Sequence, residues 1–275
     1  MNSFPPDHPP VTLTIAGSDS SAGAGIQADL KTFFAFHTYG ATAITSIVAE
    51  HPGRVLAISA VAPSLVGSQI EAVFDSLPVA AVKTGMLYLP AIVREVAARL
   101  SDLGPGLPLV VDPVLSASCG DPLSARDSLA ALGESLFPLA RLVTPNQGEA
   151  ELLLGRALRS SDDLADAALA LAKRFGVPFL LKGGHLSGES AVDVLAEGGI
   201  LRSFAAPRVP GASPHGTGCT LSAAITARLA WGDSLVSAIA AAKRWLTSLL
   251  PHTLRFGPYV FLPLTEPGGA ATTPP

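Results

Sequence analysis

Short apolar runs rich in β-branched residues recur along this chain and alternate with stretches of helical spacing. That alternation restricts the fold more than any other feature. Residues 11–16, 41–49, 80–84, 109–112, 141–144 and 178–182 read as strands. Helical spacing falls between them, over about 26–36, 64–76, 89–103, 125–137 and 148–154. Ser161 is expected to cap a further helix, with Asp162 and Asp163 in its first turn, Lys173 and Arg174 in its last and Gly176 beyond it. Residues 191–196 and 200–204 flank Gly198-Gly199 and predict an antiparallel hairpin, and two helices follow, about 219–230 and 234–249. Strands that alternate with helices imply an α/β fold, a mainly parallel central sheet with helices on both faces. No internal repeat or low-complexity linker divides the 275 residues, so one domain spanning 1–275 is expected. Its proline-rich ends, about 1–10 and 264–275, read as flexible tails.

Composition narrows the function classes. Apolar residues make up 48% of the chain, enough for a large core. A net charge of -4 and a pI near 5.8 give no basic footprint, which argues against nucleic acid as a partner. Two cysteines, Cys119 and Cys219, set no disulfide framework, so a reducing cytoplasm is expected. The first ten residues lack the basic and apolar regions of a signal peptide. The charge-free run from Thr32 to Ala49 approaches membrane-span length, but it splits at Gly40 into a helix end and a strand, and no membrane partner is expected.

Polar groups gather at the predicted strand ends, where open α/β sheets bind ligands. They are Asp112, Asn146 with Glu149, Lys182, and a Gly/Ser-rich loop over 17–25. Pro214-His-Gly-Thr-Gly-Cys219 runs straight into a helix, leaving backbone amides and a positive dipole end directed at one point. Such a point suits a phosphate, and it would favour the thiolate of Cys219 and lower its pKa. The same segment is also compatible with a tight turn holding a small buried cysteine. Asn146 and Glu149 suit a Mg²⁺ that keeps most of its waters, or simply form a capping box at a helix start. Gly23-Ala-Gly-Ile-Gln-Ala28, with Glu50 ending a strand about 20 residues on, also matches a dinucleotide fingerprint and hence an oxidoreductase. That fingerprint should follow its strand directly, whereas residues 17–22 intervene, and it leaves Lys182 and Gly216 to Cys219 without a role.

Several motifs in order carry a resemblance to the hydroxymethylpyrimidine/phosphomethylpyrimidine kinases of thiamine biosynthesis, in the ribokinase-like superfamily. They are Thr14-Ile-Ala-Gly-Ser-Asp19, Gly23-Ala-Gly-Ile-Gln-Ala-Asp-Leu-Lys31, Lys83-Thr-Gly-Met-Leu87, Val111-Asp-Pro-Val114, Thr144-Pro-Asn146 with Glu149, Leu181-Lys-Gly-Gly-His185 and His215-Gly-Thr-Gly-Cys-Thr-Leu-Ser222. Together they span about residues 13–258. The resemblance implies ATP-dependent phosphorylation of the hydroxymethyl of 4-amino-5-hydroxymethyl-2-methylpyrimidine and then of its monophosphate. It implies an anion hole at Gly216, Thr217 and Gly218, with Cys219 as proton acceptor. Lys182, Asn146 and Thr217 would meet ATP, and Asp112 and Glu149 would hold Mg²⁺ and its waters. Gly17, Asp29, Glu50, Met86 and Val114 would line the pyrimidine site. A homodimer is also implied. Pyridoxal or pyridoxine kinase is the neighbouring alternative, because its acceptor is again a hydroxymethyl on a flat heteroaromatic ring. Three departures stand out: Ser20-Ser-Ala22 where the family has Pro-Ser-Gly, Ser118 where it has Lys, and Glu50-His-Pro52 where it reads Gln-Asn-Thr.

Overall fold

The computed structural model describes residues 8–115, 126–184, 190–209 and 214–263. Cys119 and Ser118, His185, and the outer parts of both proline-rich ends lie outside the described residues. Among the described residues nine strands form one sheet: β1 (Val11–Asp19), β2 (Tyr39–His51), β3 (Arg54–Ala60), β4 (Val79–Thr84), β5 (Leu109–Val111), β6 (Leu142–Val143), β7 (Phe179–Leu181), β8 (Ser190–Glu197) and β9 (Ile200–Pro207). Their order is β3-β2-β1-β4-β5-β6-β7-β8-β9. The middle of the sheet, from β2 through β7, is parallel, while β3, β8 and β9 join antiparallel at its edges. Central strands such as β4 and β5 are buried at every position, as expected of strands covered on both faces, whereas edge strand β9 alternates with solvent.

Among the described residues eight α-helices cover the two faces: α1 (Gly25–Ala35), α2 (Pro63–Ser76), α3 (Pro90–Leu103), α4 (Arg126–Ala131), α5 (Gln147–Leu154), α6 (Ser161–Phe175), α7 (Thr217–Ala230) and α8 (Leu235–Leu249). Alternate residues of the strands feed separate cores. Val111, Val143 and Leu181 join the layer of α2, α3, α5 and α6, while Val110, Leu142 and Leu180 meet α7 and α8. The chain leaves β1 toward β2 and later returns to its other side as β4, so the order reverses there. In such sheets the ligand crevice opens beyond the carboxyl ends of the strands at that point. No helix among the described residues is long and apolar enough to cross a membrane.

Several expectations are corrected. β1 runs on to Asp19, so Gly17 belongs to a strand and the glycine loop shrinks to about residues 20–24. β3 was not foreseen because only Val55 and Ile58 turn inward, three residues apart, which gives no strand-like alternation. A small hairpin was also missed: β10 (Leu254–Phe256) is exposed throughout and β11 (Tyr259–Phe261) is half-buried throughout, so neither alternates. The helix expected over 125–137 passes into a π turn, Leu132–Leu136, and a 3₁₀ turn, Phe137–Leu139. Ser160, not Ser161, caps α6: its side chain accepts from the Asp163 amide and Asp163 answers it. Finally, α7 begins at Thr217, which moves Cys219 from the cap into the first turn.

Candidate active site

Two helix starts converge on Cys219. α7 is capped by Gly216, whose φ of 82° lies in the left-handed region that glycine adopts without penalty. A Cβ at Gly216 would run into the Gly23 carbonyl, so the glycine also permits the close approach of the first loop. The first intrahelical bond is Thr220 N to Gly216 O, at 2.9 Å, and the amides ahead of it point out of the helix. Neither Gly216 nor Ala24, the cap of α1, supplies a side-chain cap. The first amide of α1, Gly25 N–H, donates to the Cys219 sulfur.

The thiol does not behave as the helix dipole alone predicts. Burial pushes its pKa up to about 11; Lys83 pulls it down, but Asp29 and Asp112 push it further up. The expected thiolate is therefore a thiol near neutral pH, because desolvation and two carboxylates outweigh the helix end.

Lys182 lies over the same helix mouth. A Cβ built on Gly218 would sit 3.2 Å from Lys182 Nζ and 3.8 Å from Asp112 Oδ2. Lys182 donates to Asp112 Oδ1 at 2.8 Å, Thr144 donates to the same oxygen at 3.2 Å, and Ser222 donates to Oδ2 at 3.1 Å. Burial opposes the charge of Lys182, but Asp112 and Glu149 more than offset it and hold its pKa above the ordinary lysine value. Burial likewise opposes the Asp112 carboxylate, yet Lys182 and Lys83 hold it below the ordinary range. Asn146 bridges to Lys182 through the backbone, which brings the ends of β6 and β7 together.

Asn146 and Glu149 do form the capping box: Asn146 Oδ1 accepts from Glu149 N at 2.9 Å, and Glu149 Oε2 accepts from Asn146 N at 2.8 Å. The other Glu149 oxygen accepts from Leu115 N at 3.2 Å. Burial raises the Glu149 pKa against the pull of Lys182. Every oxygen of Asp112 and Glu149 thus already accepts a bond. Such a donor set suits a Mg²⁺ that keeps its waters better than one stripped of them.

The predicted pyrimidine residues divide. A Cβ at Gly17 would lie 3.4 Å from Met86 Sδ and 3.6 Å from Val48 Cγ2, and Val114 packs on the same apolar cluster. Val114 has a φ of 43°, an outlying conformation for a β-branched residue. Asp29 is sealed against Lys83 at 2.8 Å and accepts from Thr14 at 2.6 Å, with its second oxygen unpaired. Glu50 turns toward Asp19 and His215, whose ligand-type atoms lie within 4.8 Å of its own. Burial and the neighbouring Asp19 charge raise its carboxyl to about 7, with His215 opposing.

Lys83, Asp19 and His215 were missed as site residues. Asp19 Oδ2 accepts from His215 Nε2, Ser21 Oγ, Gly23 N and Ala24 N, welding the first glycine loop to the residue before Gly216. The available signal was that each stands inside a quoted motif; the sequence could not show that these motifs touch.

Residues 19–263 match the phosphomethylpyrimidine kinase family. The chain belongs to that family. It is 46% identical over 237 residues to the hydroxymethylpyrimidine/phosphomethylpyrimidine kinase of Rhizobium meliloti, covering 86% of this chain and 88% of that one. It is 44% identical to the thiamine biosynthesis bifunctional protein of Geobacter sulfurreducens over 86% of its own length, but spans only 48% of that longer protein. Among solved structures, the phosphomethylpyrimidine kinase of Clostridium difficile superposes with a TM-score of 0.76 at 41% identity, covering 86% of this chain and 98% of that one. The ADP complex of Bacillus subtilis pyridoxal kinase superposes with a TM-score of 0.84 at 35% identity, covering 94% and 97%. These kinases share the ribokinase-like fold, a mostly parallel sheet flanked by helices.

Proposed function

We propose that this chain is an ATP-dependent kinase acting on the hydroxymethyl of 4-amino-5-hydroxymethyl-2-methylpyrimidine and then on its monophosphate, as one domain, Mg²⁺-dependent, homodimeric and cytoplasmic. The observation that carries the proposal is the convergence of Lys182, Asp112 and two uncapped helix starts on Cys219 beside the Gly17–Met86–Val114 wall. Family membership and the higher identity to pyrimidine kinases support the choice of acceptor over pyridoxal.

The chemistry follows from these groups. Gly17, Met86 and Val114 hold the flat ring so that its hydroxymethyl oxygen faces the mouth of α7. That oxygen bonds to the γ-phosphorus as the bond to the β–γ bridging oxygen breaks and ADP leaves. The amides of Thr217, Gly218 and Cys219 receive the charge on the transferring group, and Lys182 exchanges part of its bond to Asp112 for phosphate oxygens. The hydroxyl proton passes to the Cys219 sulfur in its ionised form. Asp112 and Glu149 would hold the waters of a Mg²⁺, which supplies neutralisation of phosphate charge when bound.

A coupled ADP-release assay with the aminopyrimidine alcohol, pyridoxal and ribose side by side tests the proposal. Highest kcat/KM with the pyrimidine is expected. Pyridoxal as the better acceptor would instead favour the second reading, which the closer superposition on the Bacillus subtilis enzyme motivates.

A further inference from the structure

Lys31 closes the Gly23–Lys31 motif yet takes no part in the site described above. The other lysines of limited exposure each meet a carboxylate: Lys83 meets Asp29 at 2.8 Å, Lys182 meets Asp112 at 2.8 Å and Lys243 meets Asp193 at 2.7 Å. Lys31 instead donates to the carbonyl of Ala22 at 2.7 Å, and among the described residues it forms no ion pair. Burial holds its pKa below the ordinary lysine value, and the pull of Asp19 does not make up the difference. A half-buried cation so placed is short of one negative charge.

That ammonium lines a cavity of about 280 Å³, bounded on one side by residues 21–23 of the first glycine loop. Trp245 and Leu249 of α8 and Phe256 and Phe261 of the β10–β11 hairpin supply its apolar walls. Phe256 and Phe261 meet edge to face, with ring centroids 5.9 Å apart. Lys31, Trp245 and Phe261 are each partly exposed and Phe256 is 63% exposed, so a solute can reach these walls. The volume lies just below the usual range for small-molecule sites, about 300–1,000 Å³, and fits a molecule of one ring. Aromatic walls favour a flat ring stacked or set edge to face. An ammonium carries three donors, of which Ala22 takes one. One ammonium compensates one charge; a second negative charge would be pressed against apolar wall.

We propose that this cavity is a ligand site separate from the catalytic cleft, taking a one-ring aromatic monocarboxylate with its carboxylate on Lys31 and its ring against Trp245 and the hairpin. The inference does not depend on which alcohol is phosphorylated, and it can stand where the acceptor assay above fails.

The test follows benzoate and benzamide, its uncharged counterpart, by saturation-transfer NMR on the full chain, with and without saturating ADP. Wild type is expected to bind benzoate about tenfold or more tightly than benzamide, the scale of one hydrogen bond to a charged group, and ADP should not displace it. Lys31→Met should bring the two ligands to equal affinity, and Lys31→Arg should keep the preference. Phe256→Ser changes a largely exposed residue, so the thermal midpoint should hold while both ligands weaken about threefold. This variant decides the matter alone if Lys31→Met does not fold. Equal binding of benzoate and benzamide by wild type, benzoate affinity unaltered in folded Lys31→Met or in Phe256→Ser, or displacement of benzoate by ADP would each overturn the inference.

Discussion

Two lysines near the carboxyl ends of parallel strands each meet an aspartate at 2.8 Å, yet the two pairs sit in different worlds. Lys83 and Asp29 are sealed at 0% exposure each, whereas Lys182 keeps 13% exposure beside Asp112 at 2%. The sealed pair has no surface on which to meet a phosphate, so its effect on chemistry is through the field it places on Cys219. Burial opposes the Lys83 charge, but Asp29, Cys219 and Asp112 hold its pKa above the ordinary lysine value. The open pair lies over the amides of α7 and can trade one oxygen partner for another. Equal distances thus describe a sealed pair in one place and an accessible one, proposed above to meet phosphate, in the other; access to solvent separates them.

Cys219 stands between the pairs and gives the largest expected effect. Cys219→Ala should lower kcat by about 10²- to 10⁴-fold, the usual range for a general base, while ATP still binds. Because the thiol ionises only near about 11, wild-type kcat should climb as pH rises above neutrality, and the variant should lose that climb. Stopped-time assays across pH with binding measured separately decide it; activity within about threefold of wild type would reduce the cysteine to packing.

The two lysines should then fail in opposite ways. Lys182→Ala is expected to cost about 10²- to 10³-fold in kcat/KM for ATP, on the scale of one preorganised charge-stabilising donor, with folding retained. Lys83→Ala strands a buried carboxylate and should destabilise the fold by about 3–5 kcal/mol, read by chemical denaturation. A stable Lys83→Ala protein beside an unfolded Lys182→Ala protein would reverse the comparison.

Smaller effects sharpen it. Glu149→Gln weakens the field at Lys182 and the hold on metal-bound water, so its loss of rate should be severalfold and greatest at limiting Mg²⁺. A rate whose Mg²⁺ dependence is unaltered would remove Glu149 from the metal's surroundings. Glu50→Gln should matter least at low pH. The Glu50 carboxyl is protonated and able to donate below about 7 and ionises above it, so wild-type affinity for the pyrimidine should fall as pH rises through that value. The glutamine keeps a donor and an acceptor at every pH and should flatten the fall. Equal pH profiles for the two proteins would take Glu50 out of substrate recognition.

Strand ends were the most legible part of the site. Asp112, Asn146 and Lys182 could be placed at the tips of β5, β6 and β7 because apolar runs of that length end where charge begins. The capping box at Asn146 and Glu149 was equally visible, since it depends only on residues three apart. Edge strand β3 was illegible because its inward residues, Val55 and Ile58, stand three apart and leave no strand-like alternation.

By itself, the amino-acid sequence determined the layered parallel architecture, the family, and the glycines that open α7. These rest on local spacing and on backbone freedom, which neighbours in the chain dictate. Tertiary structure alone decided the charge of Cys219, the sealing of Lys83 with Asp29 and the turning of Glu50 toward Asp19 and His215. Each of these depends on burial and on groups brought together from separate strands and helices. A pKa is set by what water can no longer reach, and that is fixed only when the sheet and its two helical layers close around it.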